Sequence, residues 1–583
     1  MSSLYLLPPE ALRMICNILI QPDRDQERPQ WFLGLNTLLI LARTSRVFHE
    51  YALNAIWSSI PGYGILLFTL PPDAWTAEEL PAEWPSQRPA IQLSITRPLV
   101  ANDLARLKHC SWRVRQILPH RDCQPGFPPL AARYRAAPSV LDALLKVNDG
   151  LLLPNLTVLD LESPDIFSRD RWSRADQELF YSALHVLFGP KIISFHHQGR
   201  KAPREAYKAS LGRLTDHCPN VRHLYLSLWP WESPLALVVS AAICRFHHIQ
   251  TLWTDTIPIS PEAFLHLAQL PFLTELNAKM QLRNDERFQE IFGDAEDKTY
   301  FPRLRSLSLT HQFAIPPLIT LFRAMSSRIL STIKLEVVEG KTSSEEVKEL
   351  LSAIAFRSGS SSVRSVSVNA GYLRNEDEIT LLTLLPLLKL NKLTVVSIAS
   401  AGRFAIDDIA LTIMACNWPH IRRLELGPGR MAHDAPKPPA TLAGLVPLAQ
   451  ECPHLETLAI ALNTDIASLP SLYRDSRPGA GYVQRRLTSL RVGRSRIEDE
   501  VAVAAFLSDL FPKICEVDND FACEDDLYES GELEDAERAR ITEETKHRER
   551  WMKVMWELIP LFVKVRKQER KWARDRSQRS LHG

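Results

Sequence analysis

The sequence lacks several features that would assign it to a specialised class of protein. Its 583 residues carry a formal net charge of only +1, so no global field attracts the chain to nucleic acid or to an anionic membrane. No window approaches the ~20 uncharged apolar residues of a membrane-spanning helix, and no basic segment followed by an apolar stretch resembles a signal peptide. We therefore expect no membrane partner, no nucleic-acid partner, and a location in the cytoplasm, the nucleus or both.

Cysteine and glycine are also used sparingly. The nine cysteines form no Cys-x-x-Cys pair, and several lie inside apolar segments, which indicates buried, reduced thiols. His109, Cys110, His120 and Cys123 lie close together in sequence, but their spacing matches no usual structural zinc site. The 41 prolines outnumber the 21 glycines, which indicates many abrupt ends of secondary structure and few flexible linkers.

Motifs for catalysis are missing as well. No GxSxG, HExxH, GxxxxGK[ST] or GxGxxG stretch occurs. The adjacent pairs His196-His197 and His247-His248 point to different sides of the chain and make poor bidentate ligands, so we interpret them as surface or loop residues. We expect a protein that is not an enzyme and that needs no cofactor or metal.

Residues 1–60 have the pattern of a compact helical domain. The pair Pro8-Pro9 is suited to a helix start, because the first N–H groups of a helix lack partners, and Glu10 suits the helix dipole. A first helix is predicted there from apolar residues at helical spacing: Leu12, Ile15, Cys16 and Leu19. Further helices are predicted from about Leu33 to Thr44 and from about Ser45 to Trp57, after a polar loop.

This pattern resembles an F-box, the domain by which substrate receptors bind the Skp adaptor of cullin–RING ubiquitin ligases. The resemblance is carried by LLPPEAL, a Leu-rich helix and SRVFHEYALNAIW. The loop after the first helix is longer than in the family, and Arg43-Thr44 stands where Val-Cys is common. The resemblance implies that the Skp adaptor contacts Leu7, Pro8, Pro9, Glu10, Leu12, Ile15, Leu39, Ala42, Ser45, Phe48 and Trp57. The following segments, IWSSIPGYGILLFTLPPDAW and ITRPLVANDLARLKHCSWRVRQI, are similar to the same region of basidiomycete fungal F-box proteins.

Residues 151–520 repeat one frame, a proline-marked turn followed by L-x-x-L-x-L. Successive frames lie about 24 to 36 residues apart, near or above the spacing of leucine-rich repeats. The second apolar position of each frame is Leu159, Phe195, Leu224, Leu252, Leu276, Leu307, Ile333, Val366, Val396, Leu424, Leu458, Leu490 or Val517.

The physical reason for such a frame is direct. Its alternating part places apolar side chains on one face of a short strand, and the stretch that follows supplies a helix, for example at 261–270 and 376–388. One unit cannot bury its own apolar face, so neighbours stack. This predicts an α/β fold: an N-terminal helical F-box followed by an irregular leucine-rich-repeat solenoid, a right-handed α/β horseshoe. A doubly wound α/β enzyme also alternates strands and helices, but it would place a glycine-rich loop after the strand.

Side chains between the inward apolar positions are predicted to line the concave face and to bind a protein substrate. The mixed, mostly uncharged lining suits a protein or peptide, because nucleic acid would need a stripe of Lys and Arg. The predicted substrate-binding residues are Tyr225, Ser308, Lys334, Ser367, Ser397, Glu425 and Arg491.

The predicted organisation is thus a helical domain at 1–60, a linker and capping region at 61–150, the repeats at 151–520 and a tail at 521–583. The tail is acidic and then basic, and it is predicted to place a capping helix on the last repeat. The apolar stripe of that helix is Trp551, Val554, Met555, Leu558, Leu561 and Phe562.

These patterns predict a substrate-recognition subunit of an SCF-type cullin–RING ubiquitin ligase, with an unknown protein substrate. Two alternatives stay open: a leucine-rich-repeat scaffold outside the ubiquitin system, whose N-terminus is only a cap, and a regulator of small GTPases that acts through an exposed arginine. The docking hypothesis requires Leu7, Pro8 and Trp57 to form one exposed apolar surface, whereas a cap would bury them against the first repeat.

Overall fold

The structure is a computed structural model. It describes residues 7–20, 31–80, 91–118, 134–148, 150–162, 172–200, 202–229, 233–280, 292, 300–311, 314–357, 362–374, 377–427, 437–465, 482–521 and 535–581. The chain divides into a first unit, Met1–Leu273 with Asn277–Lys279, and a second unit, Thr274–Leu276 with Met280–Gly583. Among the described residues, no helix combines the length and apolar character needed to cross a membrane.

The first unit begins with three helices at the three predicted places: α1 (Pro9–Ile20), α2 (Trp31–Thr44) and α3 (Arg46–Ser58). The carbonyl oxygen of Pro8 accepts the N–H of Ala11 at 3.0 Å, so Pro9 occupies the first helical position as expected. The hydroxyl of Ser45 accepts the N–H of Phe48 at 3.4 Å and caps α3. Local sequence signals therefore set the starts of two of these helices.

The three helices enclose a core of their own. It consists of Leu12, Cys16, Leu38, Ala42, Phe48, Ala52 and Ala55. Gly34 lies where α2 approaches the end of α1, and a Cβ atom there would overlap the carbonyl oxygen of Leu19. Glycine at this position lets the two helix backbones approach closely.

The rest of the first unit alternates strands with helices. Its strands are β1 (Ser59–Ile60), β2 (Trp75–Glu79), β3 (Ile91–Ile95), β4 (Gln116–Ile117), β5 (Tyr134–Ala136), β6 (Val158–Glu162), β7 (Ser194–Arg200), β8 (His223–Trp229) and β9 (Thr251–Ile259). Its further α-helices are α4 (Ala105–Ser111), α5 (Ser139–Val147), α6 (Arg174–Ala183), α7 (Arg204–His217), α8 (Ser233–Ile243) and α9 (Pro261–Gln269), and its 3-10 helices are Tyr63–Thr69, Ala101–Leu104 and Leu184–Leu187.

Parallel pairing in this unit starts earlier than predicted. It runs in the order β1, β4, β6, β7, β8, β9, so two strands precede residue 151, the predicted start of the repeats. Val114 and Ile117 are buried at the spacing of the repeat frame, but the strand is short and carries no leucine. Strands β2, β3 and β5 form a separate small sheet. The region 61–150 is therefore more than a linker.

The second unit continues the same alternation, with β10 (Glu275–Met280) lying across the division between the units. Its strands are β11 (Ser306–His311), β12 (Thr332–Val337), β13 (Lys341–Thr342), β14 (Ser365–Leu373), β15 (Glu378–Thr380), β16 (Val395–Ala401), β17 (Arg403–Ala405), β18 (Arg423–Leu426), β19 (Thr457–Ile460), β20 (Ser489–Arg491) and β21 (Glu516–Asp518). Its helices are α10 (Pro316–Ala324), α11 (Ser344–Arg357), α12 (Leu381–Leu388), α13 (Asp408–Asn417), a 3-10 turn at Leu442–Gly444, α14 (Leu445–Glu451), α15 (Glu500–Leu510), α16 (Asp535–Lys553) and α17 (Ile559–Leu581).

Strands β11, β12, β14, β16, β18, β19, β20 and β21 pair in that order, all in parallel. At the start of a strand, two consecutive backbone N–H groups donate to one carbonyl oxygen just before the preceding strand. That of Arg364, for example, accepts Thr394 at 2.7 Å and Val395 at 3.0 Å. Each predicted frame coincides with a strand, and the inward residues such as Ile333 and Val366 are buried. Alternation of apolar and polar residues was sufficient to predict these strands.

The helix predicted at 376–388 is only partly correct. Residues Glu378–Thr380 form β15, which pairs in parallel with β17, and the helix begins at Leu381. Ile379 is buried in this small sheet. A side contact between neighbouring repeats thus replaces the first helical turn, and such a contact leaves no periodic signal in the sequence.

The C-terminal helices pack on the last repeat: α16 contacts β21, and α17 packs against α15. Trp551 is buried, and its Nε1–H donates to the carbonyl oxygen of Ser495 at 2.7 Å. A π-helical turn at Val554–Leu558 precedes Pro560, which lacks an N–H group for regular pairing. The wider turn shifts the helical phase. Ile559 is consequently buried, whereas Leu561 of the predicted stripe is 54% exposed.

The cysteines of the described residues are free thiols. Cys16, Cys110, Cys218 and Cys452 are buried as predicted, whereas Cys416 and Cys515 are exposed. Burial raises the pKa of Cys218 and that of Cys452 to about 12, so both thiols stay protonated at neutral pH. These two residues pack in the core and are poor nucleophiles.

Candidate functional site

Helices α1 and α2 leave large apolar side chains in solvent although they have a core of their own. Met14, Ile18 and Ile40 are each 60% exposed, and Leu39 is 43% exposed. Met14 and Ile18 are four residues apart and therefore share one face of α1. We name these four residues the docking patch. Large apolar side chains left exposed on a small helical module are typical of a protein-binding site.

The residues predicted to contact the Skp adaptor divide into two groups. Leu7, Pro8, Pro9, Glu10 and Leu39 are exposed. The other predicted contacts are less accessible: Leu12, Ala42 and Phe48 are buried in the three-helix core, Ile15 and Trp57 are partly buried, and Ser45 is the partly buried cap of α3. Leu12, Ala42 and Phe48 therefore pack the helices together, whereas the first group lies at the surface.

Sequence reasoning missed Met14, Ile18 and Ile40. A signal was present, because α1 carries apolar residues on more than the one side that faces the core. The requirement that Leu7, Pro8 and Trp57 be exposed is met by the first two residues and only in part by Trp57.

The module formed by α1 to α3 is joined to the strands of the first unit by chain connectivity and by an ion pair. Helix α3 runs directly into β1, which pairs with β4. The Arg113 side chain, only 2% exposed, donates from Nη2 to Glu50 Oε2 on α3 at 2.7 Å and from Nη1 to the carbonyl oxygen of His109. A partner bound to α1 and α2 would therefore be held in a fixed position relative to the strands β1 and β4.

The parallel strands of the first unit carry a continuous row of ring-bearing side chains. In consecutive strands β6 to β9, the register places Asp160, His196, Tyr225 and Trp253 side by side. The His196 Nδ1 lies 2.8 Å from Asp160 Oδ1. Ring centroids are 5.1 Å apart between His196 and Tyr225 and 5.6 Å apart between Tyr225 and Trp253. We name these four residues the aromatic row; Trp253, at its end, is 44% exposed.

The two histidine pairs differ in their location and in their exposure to solvent. His247 and His248 are exposed, as predicted. The prediction that His196 and His197 are surface or loop residues is wrong, because both lie on β7 and His197 is 1% exposed. Strand alternation turns His197 into the core, where Nε2 lies 3.4 Å from the Tyr181 hydroxyl. Burial, and secondarily the neighbouring His196, lowers the pKa of His197 to about 3.

The second unit aligns six of the seven predicted substrate-binding residues. Its register runs through Ser308, Lys334, Ser367, Ser397, Glu425, Ala459, Arg491 and Asp518, which we name the polar row. Arg491 Nη2 lies 3.0 Å from Asp518 Oδ2. Only Tyr225 of the predicted set lies in the other unit, within the aromatic row. Sequence reasoning missed His196 and Trp253, although each follows the second apolar position of its frame as Tyr225 does.

The chemistry of the two rows follows from their side chains. Among the described side chains, no three His, Cys, Asp or Glu residues come close enough to share a metal ion. The aromatic row offers apolar faces, ring electrons that attract cations, and the Asp160 carboxylate. The polar row offers hydroxyl groups, the charged side chains of Lys334 and Glu425, and the ion pair of Arg491 with Asp518. Both arrangements suit non-covalent recognition of a polypeptide.

Comparisons with known proteins give no family for this chain. No family model matches it, and no curated protein matches it. Among solved structures it is similar to the Rad7 and Elc1 complex of yeast, with 14% identity, a TM-score of 0.34, and coverage of 65% of this chain and 78% of that chain. It is also similar to an internalin, InlF, of Listeria monocytogenes, with 15% identity, a TM-score of 0.33, and coverage of 63% and 81%. These TM-scores are too low to support an inference about function.

Proposed function

We propose that this chain is the substrate-recognition subunit of an SCF-type cullin–RING ubiquitin ligase. In this proposal α1 to α3 bind the Skp adaptor, and through it the cullin, while the parallel strands hold a protein substrate. The chain would act by positioning, since binding the substrate beside the ubiquitin-charged enzyme raises the effective concentration of the substrate's lysines. No residue of this chain would form or break a bond.

The observation that carries the proposal is the docking patch. A module that served only to cap the repeats would turn its apolar side chains toward the first strands. Instead Met14, Ile18 and Ile40 lie in solvent, while the same helices enclose a separate core. The F-box resemblance of LLPPEAL and SRVFHEYALNAIW gives a reason for this exposure, because a docking domain needs an apolar surface that stays accessible.

The aromatic row is our proposed contact for the substrate. Tyr and Trp bury large areas with little loss of side-chain freedom, and they are common among the residues that dominate binding energy. The Asp160 carboxylate is only 10% exposed and is paired with His196, so it orients that ring within the row. A substrate segment with an apolar or a basic side chain would match this chemistry.

Binding to the purified Skp adaptor tests the docking function. In isothermal titration calorimetry with the full chain, Met14→Asp combined with Ile18→Asp should weaken binding about 100-fold, because two apolar contacts are replaced by desolvated charges. The matched control is Leu237→Asp combined with Ile409→Asp, two helical residues that are 66% and 69% exposed outside the module. This control should bind like the wild type.

Two results would decide against the proposal. Failure of the wild-type chain to bind the adaptor would favour the alternative of a repeat scaffold outside the ubiquitin system. Equal loss of binding in the test and control variants would mean that added surface charge, and not the docking patch, is responsible.

A further inference from the structure

A strongly basic pocket lies in the second unit, between α15 with the turn that follows it and one face of α17. Its volume is about 660 Å³. Of the eleven lining residues that the structure describes, seven are lysine or arginine and one, Asp575, is acidic. The whole chain carries a net charge of only +1, so this local excess of positive charge is not a reflection of overall composition.

Most of these cations come from a single helix face. Arg566, Lys567, Arg570, Lys571 and Arg574 recur at three- and four-residue spacing along α17. Like charges at such spacing repel each other and destabilise a helix. Arg485 and Lys513 add two more positive charges from outside this helix. An anion bound in the pocket would relieve the repulsion among these cations.

Two of the arginines are held by the protein itself. Arg566 donates to the Ser508 hydroxyl and, at 2.7 Å, to the carbonyl oxygen of Ala505. Asp509 is 6% exposed, and its Oδ1 lies 3.4 Å from Arg566 Nε and 3.9 Å from Arg570 Nη2. These contacts fix α17 against α15, so the pocket has a rigid wall.

The remaining five cations have no such partner. Within the part of the chain that the structure describes, no carboxylate lies within ion-pair distance of Arg485, Lys513, Lys567, Lys571 or Arg574. Lys567, Lys571 and Arg574 are exposed on the pocket side of α17, and Arg485 and Lys513 are exposed beside it. Five cations converge here on one space of small-molecule size.

We infer that this pocket binds a compact polyanion that carries several phosphate groups. Phosphate oxygens accept charge-assisted bonds from several Lys and Arg side chains at once, which matches the convergence of these cations. Among the lining residues that the structure describes, only Pro512 and Val563 are apolar, and none carries an aromatic ring on which a nucleobase could stack. Single-stranded nucleic acid would instead require an open groove with stacking rings. A small polyphosphate fits best.

Inorganic tripolyphosphate is the probe for this site. In isothermal titration calorimetry the full chain should bind it with one-to-one stoichiometry, and Lys567→Glu combined with Lys571→Glu should weaken binding at least about 20-fold. The matched control is Lys564→Glu combined with Lys392→Glu, which makes the same change of charge on α17 and elsewhere in the second unit but outside the pocket. It should change affinity less than about threefold, through long-range attraction alone.

All substituted lysines are exposed, so circular dichroism and the thermal midpoint without ligand should match the wild type and exclude misfolding. The inference is overturned if the wild type shows no saturable binding, or if both double variants lose affinity equally. It is also overturned if single-stranded RNA binds at least about tenfold more tightly than tripolyphosphate through the same lysines, which would assign the surface to nucleic acid. The docking function is independent of each of these outcomes.

Discussion

The aromatic row of the first unit and the polar row of the second unit are built on the same backbone pattern with different side chains. Both lie on parallel strands in continuous register, with buried, mostly apolar residues on the opposite side. The first unit presents His196, Tyr225 and Trp253, whereas the second presents hydroxyl groups at Ser367 and Ser397 among scattered charges. The inward positions preserve the fold, so the outward positions are free to differ.

The two rows should contribute different amounts of binding free energy. A tyrosine or tryptophan covered by a partner removes far more apolar surface from water than a serine does, and rigid aromatic side chains lose little entropy. Exposed ion pairs such as Arg491 with Asp518 contribute little, because water already solvates both charges. We therefore expect binding energy to be concentrated in the first unit, with the second unit supplying complementarity.

The largest effect is expected where the two rows are compared directly. Tyr225→Ala combined with Trp253→Ala should cost about 4 kcal/mol of substrate affinity, since each aromatic contact is expected to contribute about 2 kcal/mol. Ser367→Ala combined with Ser397→Ala should cost less than about 1 kcal/mol. Quantitative affinity capture of bound partners measures both. Equal losses would contradict the assignment of substrate to the aromatic row.

Gly34→Ala should separate docking from substrate recognition, although both lie in the first unit. The added Cβ would overlap the Leu19 carbonyl oxygen and force α1 away from α2, at a cost of about 3 kcal/mol in the stability of the module. Adaptor binding should be lost while substrate capture is retained. The control is Gly212→Ala in α7, where a Cβ meets nothing within 4 Å and should be neutral or stabilising. Loss of both functions would mean that the module and the strands do not fold independently.

The buried His197 on β7 should make the stability of the fold sensitive to acid. The folded pKa of His197 is about 3, whereas a histidine in the unfolded chain titrates near 6.5, so below pH 6.5 the unfolded state binds a proton that the folded state does not. Its contribution to stability is present above pH 6.5 and declines as the pH falls toward 3, by up to about 1.4 kcal/mol per pH unit.

Urea unfolding between pH 7 and pH 4 measures this decline. His197→Phe should flatten the pH dependence of the unfolding free energy, whereas His248→Gln, at an exposed position, should leave it unchanged. An unchanged slope in His197→Phe would show that the imidazole gains a proton inside the folded protein.

The smallest effect is expected in the polar row. Arg491 and Asp518 are each about half exposed, so a double-mutant cycle of Arg491→Ala and Asp518→Ala should give a coupling energy below about 0.5 kcal/mol. Thermal unfolding of the four proteins measures it. A coupling above about 1 kcal/mol would mean that the second unit holds its charges in a more constrained geometry than an exposed pair allows.

Much of the repeat architecture could be read from local patterns. Leu307, Ile333 and Val366 mark strands because alternating burial depends only on residues a few positions apart. The strands β1 and β4 were not predicted, because they are two residues long and lack leucine. The position of Leu561 was predicted incorrectly, since a π-helical turn ahead of Pro560 shifts the helical phase.

The candidate sites were less predictable than the fold. Sequence alternation identified Tyr225 and Ser367 as outward residues, but not their neighbours in space. His196 was interpreted as a surface or loop residue, and only strand pairing places it between Asp160 and Tyr225. The docking patch was missed for a related reason: an apolar side chain such as Met14 is equally suited to a core and to an interface, and packing decides between them.

The sequence by itself therefore determined the three N-terminal helices, the strands of the repeat frame with their inward apolar positions, and the start of α1, because each depends on interactions between near neighbours in the chain. Only the tertiary structure decided which outward residues lie side by side, which apolar residues of α1 and α2 stay in solvent, and which cations converge beside α17. Those arrangements depend on register and packing between segments far apart in sequence, and no local pattern encodes the distance between them.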